Sequence, residues 1–230
     1  MRVDLVTLFP ELFERFFSTS MVGRAVSGGQ LVVRTRSPRE FGVGPHQSVD
    51  DTPYGGGCGM VMRVDCLVAT FEALDHDAAL AHEPKARRVL LTPQGRRFEQ
   101  ADARRLAEAP ALMLVSGRYE GFDERVRSHV DEELSLGDFV MTGGEIAAMA
   151  VVEAVSRLLP GVLGNADSAR DESHQTGLLE HAQYTRPVEF RGEVVPEVLR
   201  SGNHQAIAKH RRDDAERRTS LRRPDLARRG

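Results

Sequence analysis

The chain has 230 residues, of which 40% are hydrophobic and 28% are charged, and its formal net charge is −3. This length and balance are those of a globular protein with one or two domains, and they exclude a wholly disordered chain. No apolar run approaches the roughly 20 residues that a membrane helix needs, so we expect no membrane partner.

The amino-terminal segment and the cysteines favour a cytoplasmic protein. Asp4, Glu11 and Glu14 interrupt a segment that would be uncharged in a secretory signal. Cys58 and Cys66 are too few for a disulfide framework and too far apart for a CxxC zinc site, so we expect two free thiols. The eight histidines show no metal-ligand spacing. We therefore expect a cytoplasmic location and no metal site.

Strands and helices alternate through the first part of the chain. In chain order, the pattern predicts a strand at 2–9, a helix beginning at Pro10, strands at 31–35, 88–92 and 111–116, a helix at 98–108 between the last two strands, and a helix at 143–159. The last of these is the longest apolar helix that the pattern predicts, and Pro160 ends it. The alternation predicts an α/β domain with a mainly parallel sheet over residues 1–160.

After Pro160 the composition changes. Residues 161–175 are rich in Gly, Ser, Asn, Asp and His and have no periodicity, which is typical of an exposed linker. Residues 176–230 are strand-poor and Arg-rich, and helices at 196–200 and 205–218 predict a small helical domain. Residues 200–230 hold ten Lys or Arg and four Asp or Glu, a net charge of +6. This tail either binds a polyanion or is a solvated helix with Arg–Glu pairs.

Four glycine-rich stretches stand where loops would follow strands. They are 50–60, 92–96, 116–125 and 135–145. Glycine lets the backbone approach a ligand closely, and open α/β sheets bind ligands at the carboxyl ends of their strands. Each stretch alone fits an ordinary turn equally well, but three at strand ends of one sheet favour a ligand site. No P-loop, dinucleotide GxGxxG turn or GxSxG elbow is present.

The four stretches, in this order, resemble the TrmD family of tRNA (guanine-N1)-methyltransferases in the SPOUT superfamily. The resemblance continues through motifs at 156–164, 184–187, 198–204 and 222–226, so it covers essentially the whole chain. It implies a SPOUT-type α/β fold with a mainly parallel sheet, a C-terminal trefoil knot, a small helical C-terminal domain and a homodimer. The knot is implied by the resemblance alone, because unknotted connections are the default.

The resemblance also implies a function. The enzyme would transfer a methyl group from S-adenosylmethionine to N1 of the guanine at position 37 of tRNA, next to the anticodon, and so support reading-frame maintenance. Residues 1–160 would bind the methyl donor, the linker 161–175 would carry the catalytic carboxylate, and residues 176–230 would bind tRNA. Mg²⁺ is a further cofactor that the family implies, although no carboxylate cluster in the sequence points to it. No other protein partner is implied.

By the same resemblance, three loops converge on the methyl donor. The residues that they would contribute are Leu90, Leu91, Thr92, Pro93, Gln94, Gly95, Gly117, Tyr119, Glu120, Leu136, Gly137, Asp138, Phe139, Val140, Met141, Gly143 and Gly144. Glu120 is the candidate carboxylate near the sulfonium cation. The alternative is that Glu120 is an ion-pair partner of Arg118 or Arg125.

Two residues are candidates for catalysis. Methylation of guanine N1 requires a base for its proton and a group that stabilises charge on the neighbouring carbonyl. The resemblance aligns the family's catalytic Asp with Glu172, which departs from the family pattern, and Asp171 is the rival one position away. Both are otherwise ordinary linker carboxylates. The resemblance gives Arg157 the second role, whereas the alternative is that Arg157 only complements the helix dipole.

The Arg-rich tail is implied to hold the tRNA backbone through phosphate contacts. The candidate side chains are Lys209, Arg211, Arg212, Arg217, Arg218, Arg222 and Arg223. Two other functions stay open. A SPOUT methyltransferase acting on another RNA, such as rRNA, should lack the linker and tail motifs. An RNA-binding protein without activity is kept open by the glutamate at position 172.

Overall fold

The computed structural model describes residues 1–163, 173 and 177–227. The chain divides into two compact units, Met1–Gly164 and Asn165–Gly230. Among the described residues, none of the helices has the length and apolar character needed to cross a membrane.

A five-stranded sheet lies at the centre of the first unit. The strands of this unit are β1 (Arg2–Val6), β2 (Val32–Arg36), β3 (Asp50–Asp51), β4 (Val61–Met62), β5 (Arg87–Arg97), β6 (Ala111–Ser116) and β7 (Glu132–Ser135). The order across the main sheet is β2-β1-β6-β5-β7, and every neighbouring pair is parallel. The short strands β3 and β4 form a separate antiparallel pair. The predicted α/β class with a mainly parallel sheet is therefore confirmed.

Helices cover both faces of this sheet. They are α1 (Glu14–Phe17), α2 (Ser20–Ser27), α3 (Val64–Leu80), α4 (Gln100–Ala107) and α5 (Glu145–Ser156). Side chains alternate along the strands, so Leu5 and Leu114 pack in one core cluster with α2, α4 and α5. Val6 and Val115 point the other way and pack with α3 in a second cluster. Burial on both faces explains why β6 is a continuous apolar run rather than an alternating one.

The sequence patterns did not predict the helix α3, which packs on the sheet, or the strand β7 at its edge. α3 has 17 residues, whereas the helix predicted at 143–159 is shorter than expected and spans Glu145–Ser156 as α5. The strand β7 contains four residues, two of which are glutamates whose carboxylates pair with arginines. Pairing with β5 in the folded chain forms this strand, because its own sequence carries no apolar pattern.

Several predicted bounds also change. The strand predicted at 2–9 ends at Val6, and Pro10 begins a short 3-10 helix, Pro10–Phe13, before α1. The strand predicted at 88–92 runs on to Arg97. The helix predicted at 98–108 spans Gln100–Ala107, and Glu99 caps it by accepting from the backbone of the first turn.

The second unit is described by its helices and one hairpin. Its elements are β8 (Glu189–Phe190), β9 (Glu193–Val194), α6 (Glu197–Arg200), α7 (His204–Arg222) and α8 (Pro224–Ala227). The side chain of Asn203 accepts a hydrogen bond from the Ala206 N–H (3.1 Å) and so caps α7. α7 ends just before Pro224, whose ring disfavours helical backbone in the preceding residue. The predicted helical tail is confirmed over these residues.

Two buried side chains of α7 hold an extended segment of the same unit. The carboxylate of Asp214 accepts from the Ala182 N–H (2.7 Å), and the hydroxyl of Thr219 accepts from the Leu179 N–H (2.8 Å). Both side chains are almost fully buried. A buried polar group costs free energy unless it is hydrogen-bonded, so these contacts fix how the segment lies against α7.

Candidate functional site

The carboxyl ends of β5, β6 and β7 lie side by side and open into one cavity of about 330 Å³. The loops that line it follow, or interrupt, these three strands, as expected for ligand sites in open α/β sheets. Its volume is in the range typical of small-molecule sites.

The first wall of the cavity is a four-residue excursion of β5. Leu91 and Arg96 both pair with Leu134 of β7, so residues 92–95 leave the ladder between them. Gly95 closes the excursion against the backbone of β7. A Cβ atom at Gly95 would lie 2.6 Å from the Leu134 nitrogen, so no other residue fits without moving the strand.

The second wall is the turn after β6, and one other segment of the chain stabilises it. Backbone hydrogen bonds join it to the glycine-rich stretch 50–60 and its flank: the Glu120 N–H donates to the Met60 carbonyl and the Met62 N–H donates to the Gly121 carbonyl, both at 2.9 Å. Tyr119 has φ +60°, a strained backbone for a non-glycine residue. The first glycine-rich stretch therefore supports the turn.

The third wall is the segment between β7 and α5. Gly144, which precedes α5, donates its N–H to the Gly117 carbonyl of the second wall (2.9 Å). A Cβ atom at Gly144 would lie 2.8 Å from the Ser116 Cα. The second and third walls therefore approach each other backbone to backbone, which only glycine permits.

The cavity is lined by all of the predicted donor-binding residues except Leu90, Gly95 and Asp138. Leu90 is fully buried in the core, and Gly95 packs against β7. Asp138 is exposed and its carboxylate pairs with Arg97 (3.0 Å). For these three positions the prediction of a direct contact with the donor is not supported by the cavity lining.

Other lining residues were not predicted. Arg118, Phe122 and Thr142 belong to the glycine-rich stretches and are neighbours of predicted positions. Arg127 and Ala147 lie on the 3-10 helix Glu124–His129 and on α5, and no local sequence pattern distinguishes them. Folding alone brings these two to the cavity.

Glu120 lines the cavity with an exposed side chain. Arg118 pairs instead with Glu145 (2.9 Å), and Arg125 pairs with Asp123 (2.7 Å). The alternative interpretation, that Glu120 is the partner of Arg118 or Arg125, is therefore wrong. Next to it, partial burial and the nearby Asp50 carboxylate raise the pKa of Tyr119, so its hydroxyl stays neutral at physiological pH.

The structure describes one of the two predicted catalytic positions, Arg157, but not the other. Glu172 and its rival Asp171 lie outside the described residues. Arg157 is half-buried directly after α5, and its N–H donates to the Glu153 carbonyl (3.4 Å). Arg157 does not line the cavity of its own chain.

The cysteines and the acidic residues bear on whether the chain could bind a metal ion. Cys58 is exposed and Cys66 is buried, both are free thiols, and burial raises the pKa of Cys66. Within residues 1–163, 173 and 177–227, no group of three or more His, Cys, Asp or Glu side chains is placed to hold a metal ion.

Comparisons with known proteins agree along the whole chain. The family described as tRNA (Guanine-1)-methyltransferase TrmD matches residues 1–229. The tRNA (guanine-N(1)-)-methyltransferase of Sorangium cellulosum is 65% identical over an alignment of 245 residues. The alignment covers 98% of this chain and 93% of that protein. The protein of the same name from Syntrophotalea carbinolica is 52% identical over 97% of this chain and 88% of that protein. The one from Geobacillus kaustophilus is 49% identical over 98% and 91%.

Proposed function

The chain belongs to the TrmD family of tRNA (guanine-1)-methyltransferases, and we propose on that premise that it methylates N1 of the guanine at position 37 of tRNA. The methyl donor is S-adenosylmethionine, and the modification, next to the anticodon, supports reading-frame maintenance. The observation that carries the proposal is the cavity at the carboxyl ends of β5, β6 and β7, lined by three glycine-rich turns.

The cavity suits S-adenosylmethionine in size and chemistry. Gly117 and Gly144 let the second and third walls meet backbone to backbone, so the cavity is bounded there by backbone rather than by side chains. The Glu120 carboxylate supplies negative charge for a sulfonium cation, since it is not paired with Arg118 or Arg125. When bound, the donor supplies an electrophilic methyl group.

Two side chains would act on the guanine. Glu172 would accept the proton of guanine N1, and Asp171 is its rival. Arg157 would stabilise negative charge on the neighbouring carbonyl oxygen. Because Arg157 does not line the cavity of its own chain, we propose that the enzyme is a homodimer whose sites combine residues of both chains.

Two further family features are part of the proposal. The trefoil knot rests on the family membership, with the parallel sheet as its setting. The same membership suggests Mg²⁺, but the described residues offer no acidic cluster that fits a metal ion, so we assign it no ligands and no step.

The tRNA would be held by the arginines of α7. Arg211, Arg212 and Arg222 are exposed and make no ion pair among the described residues. Arg217 and Arg218 instead bind the buried Asp214 carboxylate, so they act first in holding their own unit together. Free cations on a helix surface are the groups that neutralise phosphates.

Methyl transfer to unmodified tRNA transcripts tests this function. With labelled S-adenosylmethionine, a transcript with guanine at the target position should become methylated, and a transcript with adenine there should not. Methylation of rRNA fragments in place of tRNA would indicate a SPOUT enzyme with another substrate. Tight tRNA binding with no transfer to any RNA would indicate an RNA-binding protein without activity.

A further inference from the structure

A buried carboxylate stands behind the cavity without lining it. Glu145 is the first residue of α5 and is 1% exposed. Its Oε1 accepts from the Thr7 hydroxyl (3.0 Å) and from Arg118 Nε (3.3 Å), and its Oε2 lies 2.9 Å from Arg118 Nη2. A carboxylate is buried at such a site only when it is paired and hydrogen-bonded, so these contacts have a structural purpose.

The partner of this carboxylate touches three segments. The guanidinium of Arg118 lies 4.5 Å above the Phe9 ring, which follows β1, and its Nη1 donates to the Thr142 carbonyl (3.4 Å) in the third wall. The backbone of Arg118 belongs to the second wall, 117–121. The Glu145–Arg118 pair therefore ties the end of β1, the second wall and the third wall to one another.

Neighbouring residues pack closely against the Glu145–Arg118 pair. A Cβ atom at Gly143 would lie 2.5 Å from Glu145 Oε2 and would also collide with the Arg118 guanidinium. Thr7 is fully buried, and its hydroxyl oxygen also accepts from the Phe9 N–H (3.0 Å). Thr7 and Arg118 thus each make a contact besides the one to Glu145, which fixes their orientation. Groups that orient a binding site are expected to be held in this way.

We infer that Glu145 is a positioning residue, which through Arg118 sets the spacing between the second and third walls that S-adenosylmethionine requires. This inference rests on the proposed function for the identity of the ligand. Glu145 itself does not touch the donor, since it does not line the cavity. Its effect is expected on donor affinity and on the mobility of the two walls.

The main test is Glu145→Gln, which keeps the shape and removes the charge. Calorimetry should show S-adenosylmethionine affinity weaker by about tenfold, in line with the loss of charge-assisted hydrogen bonds. KM for the donor should rise in proportion, while KM for tRNA should stay native. Hydrogen–deuterium exchange without ligand should increase in 117–121 and 136–144 and stay native elsewhere in the sheet.

Two matched variants separate positioning from general stability. Asp4→Asn neutralises an equally buried carboxylate that bonds Arg2 at the amino-terminal end of β1, and it should leave donor affinity native. Thr7→Val removes one neutral hydrogen bond to Glu145, whereas Thr7→Ser keeps it. Thr7→Val should weaken donor binding less than Glu145→Gln does, and Thr7→Ser should bind as the native protein does.

The outcomes are separable. Native affinity and native exchange in folded Glu145→Gln would overturn the inference, and so would an equal loss of affinity in Asp4→Asn. If Glu145→Gln does not fold, equal affinity and wall exchange in Thr7→Val and Thr7→Ser would overturn it, and a loss confined to Thr7→Val would support it. If the native protein binds no S-adenosylmethionine, the proposed function is wrong. Hydrogen–deuterium exchange of the two walls in Glu145→Gln would still decide whether Glu145 positions them.

Discussion

At the scale of single residues, the shape of the cavity depends on glycines, which have no side chain. At Gly95 and Gly144 a side chain would collide with neighbouring backbone, so the walls approach each other as bare chain. At the second of these positions the Gly144 N–H donates to the Gly117 carbonyl, so the backbone groups hold the two walls together. The charged residues nearby serve different ends: Glu120 faces the cavity, whereas Glu145 is buried behind it.

The base can be assigned by a pair of isosteric variants. Glu172→Gln should reduce the rate of methyl transfer by roughly 10²- to 10⁴-fold, because an amide cannot accept the guanine N1 proton. Donor binding should remain near native, since the amide keeps the shape of the side chain. Single-turnover methyl transfer and calorimetry measure the two effects.

Asp171→Asn is the matched control for that variant. It removes the neighbouring carboxylate and should lower the rate far less than Glu172→Gln. The reverse order of effects would show that the linker is shifted by one residue and that Asp171 is the base.

The sequence could identify the loops of this site but not the contacts behind them. Glycine runs marked all three walls, two of them directly after predicted strands, because glycine has a local backbone signature. The Glu145–Arg118 pair and the lining role of Arg127 join residues far apart in the chain, so no local pattern announces them. The location of Glu120 was predicted, but only the structure excluded its pairing with Arg118.

At the scale of elements, the end of β5 is tied to α4 and β7 by one buried carboxylate. Asp102, in the first turn of α4, accepts from Arg96 of β5 and from Arg105, which also binds Glu132 of β7. Burial alone would raise the pKa of Asp102, but hydrogen bonds from Arg96, the Glu99 N–H and Arg105 outweigh it and lower the pKa to about 2. The carboxylate is therefore ionised at all but strongly acidic pH.

This depressed pKa predicts a pH dependence of stability. The unfolded carboxyl has its ordinary pKa of 3.8, so the folded chain binds fewer protons and the contribution is fully present above about pH 4. It should be lost, by about 2 kcal/mol of the free energy of unfolding, as the pH falls toward 2. Urea unfolding of the native protein and Asp102→Asn across this range should show the difference shrinking with acid.

Asp138→Asn serves as the control for the acid series. It removes an exposed partner of Arg97, and exposed pairs contribute little to stability. Its unfolding should follow the native pH dependence. A difference between native protein and Asp102→Asn that does not change with pH would contradict the assignment.

The helix α7 sorts its arginines into two groups, and their variants should behave differently. Arg211→Gln and Arg212→Gln should each lower the salt dependence of tRNA binding by roughly 0.7 to 0.9 of a unit in log–log slope, one phosphate contact each. Arg217→Gln removes a partner of Asp214 and should lower thermal stability while leaving the slope native. Electrophoretic shift titrations at several salt concentrations measure the slopes.

An equal loss of slope in Arg217→Gln and Arg211→Gln would contradict this division. Native slopes in both Arg211→Gln and Arg212→Gln would show that the helix is a solvated surface. Point variants are preferable to deletion of the tail, because α7 provides acceptors for the Ala182 and Leu179 N–H groups.

Elements were predictable where their sequence signal was local. The strand at 111–116 and the helices of the tail follow from apolar runs, caps and the proline stop. β7 was missed because half of its residues are glutamates and its partner strand supplies the pairing. The helix α3 was missed although its buried residues recur at helical spacing, because apolar residues such as Val68 and Ala73 also lie outside that stripe.

At the scale of the whole molecule, we propose that each site combines residues of two chains. The cavity belongs to one unit of the chain, and Arg157 does not line it. The knot and the dimer lie beyond what periodicity or composition can predict, since both depend on how distant segments pass one another. The family membership is what suggests them.

A mixed dimer tests whether sites combine two chains. Arg157→Ala and Glu172→Gln homodimers should both be nearly inactive. A heterodimer of the two, purified with different tags, should regain activity, because one of its two sites then contains both native residues. Methyl transfer by the heterodimer is compared with that of the two parent homodimers at equal concentration. No recovery in verified heterodimers would show that Arg157 and Glu172 of one site come from the same chain.

The central claim concerns which atom of which nucleotide receives the methyl group. Unmodified tRNA is incubated with the enzyme and S-adenosylmethionine, digested to nucleosides and oligonucleotides, and analysed by liquid chromatography and mass spectrometry. The account predicts 1-methylguanosine, located in the fragment that contains position 37, and its loss when that guanine is replaced by adenine. A methyl group on another guanine atom, on another nucleotide, or on no tRNA nucleotide would contradict it.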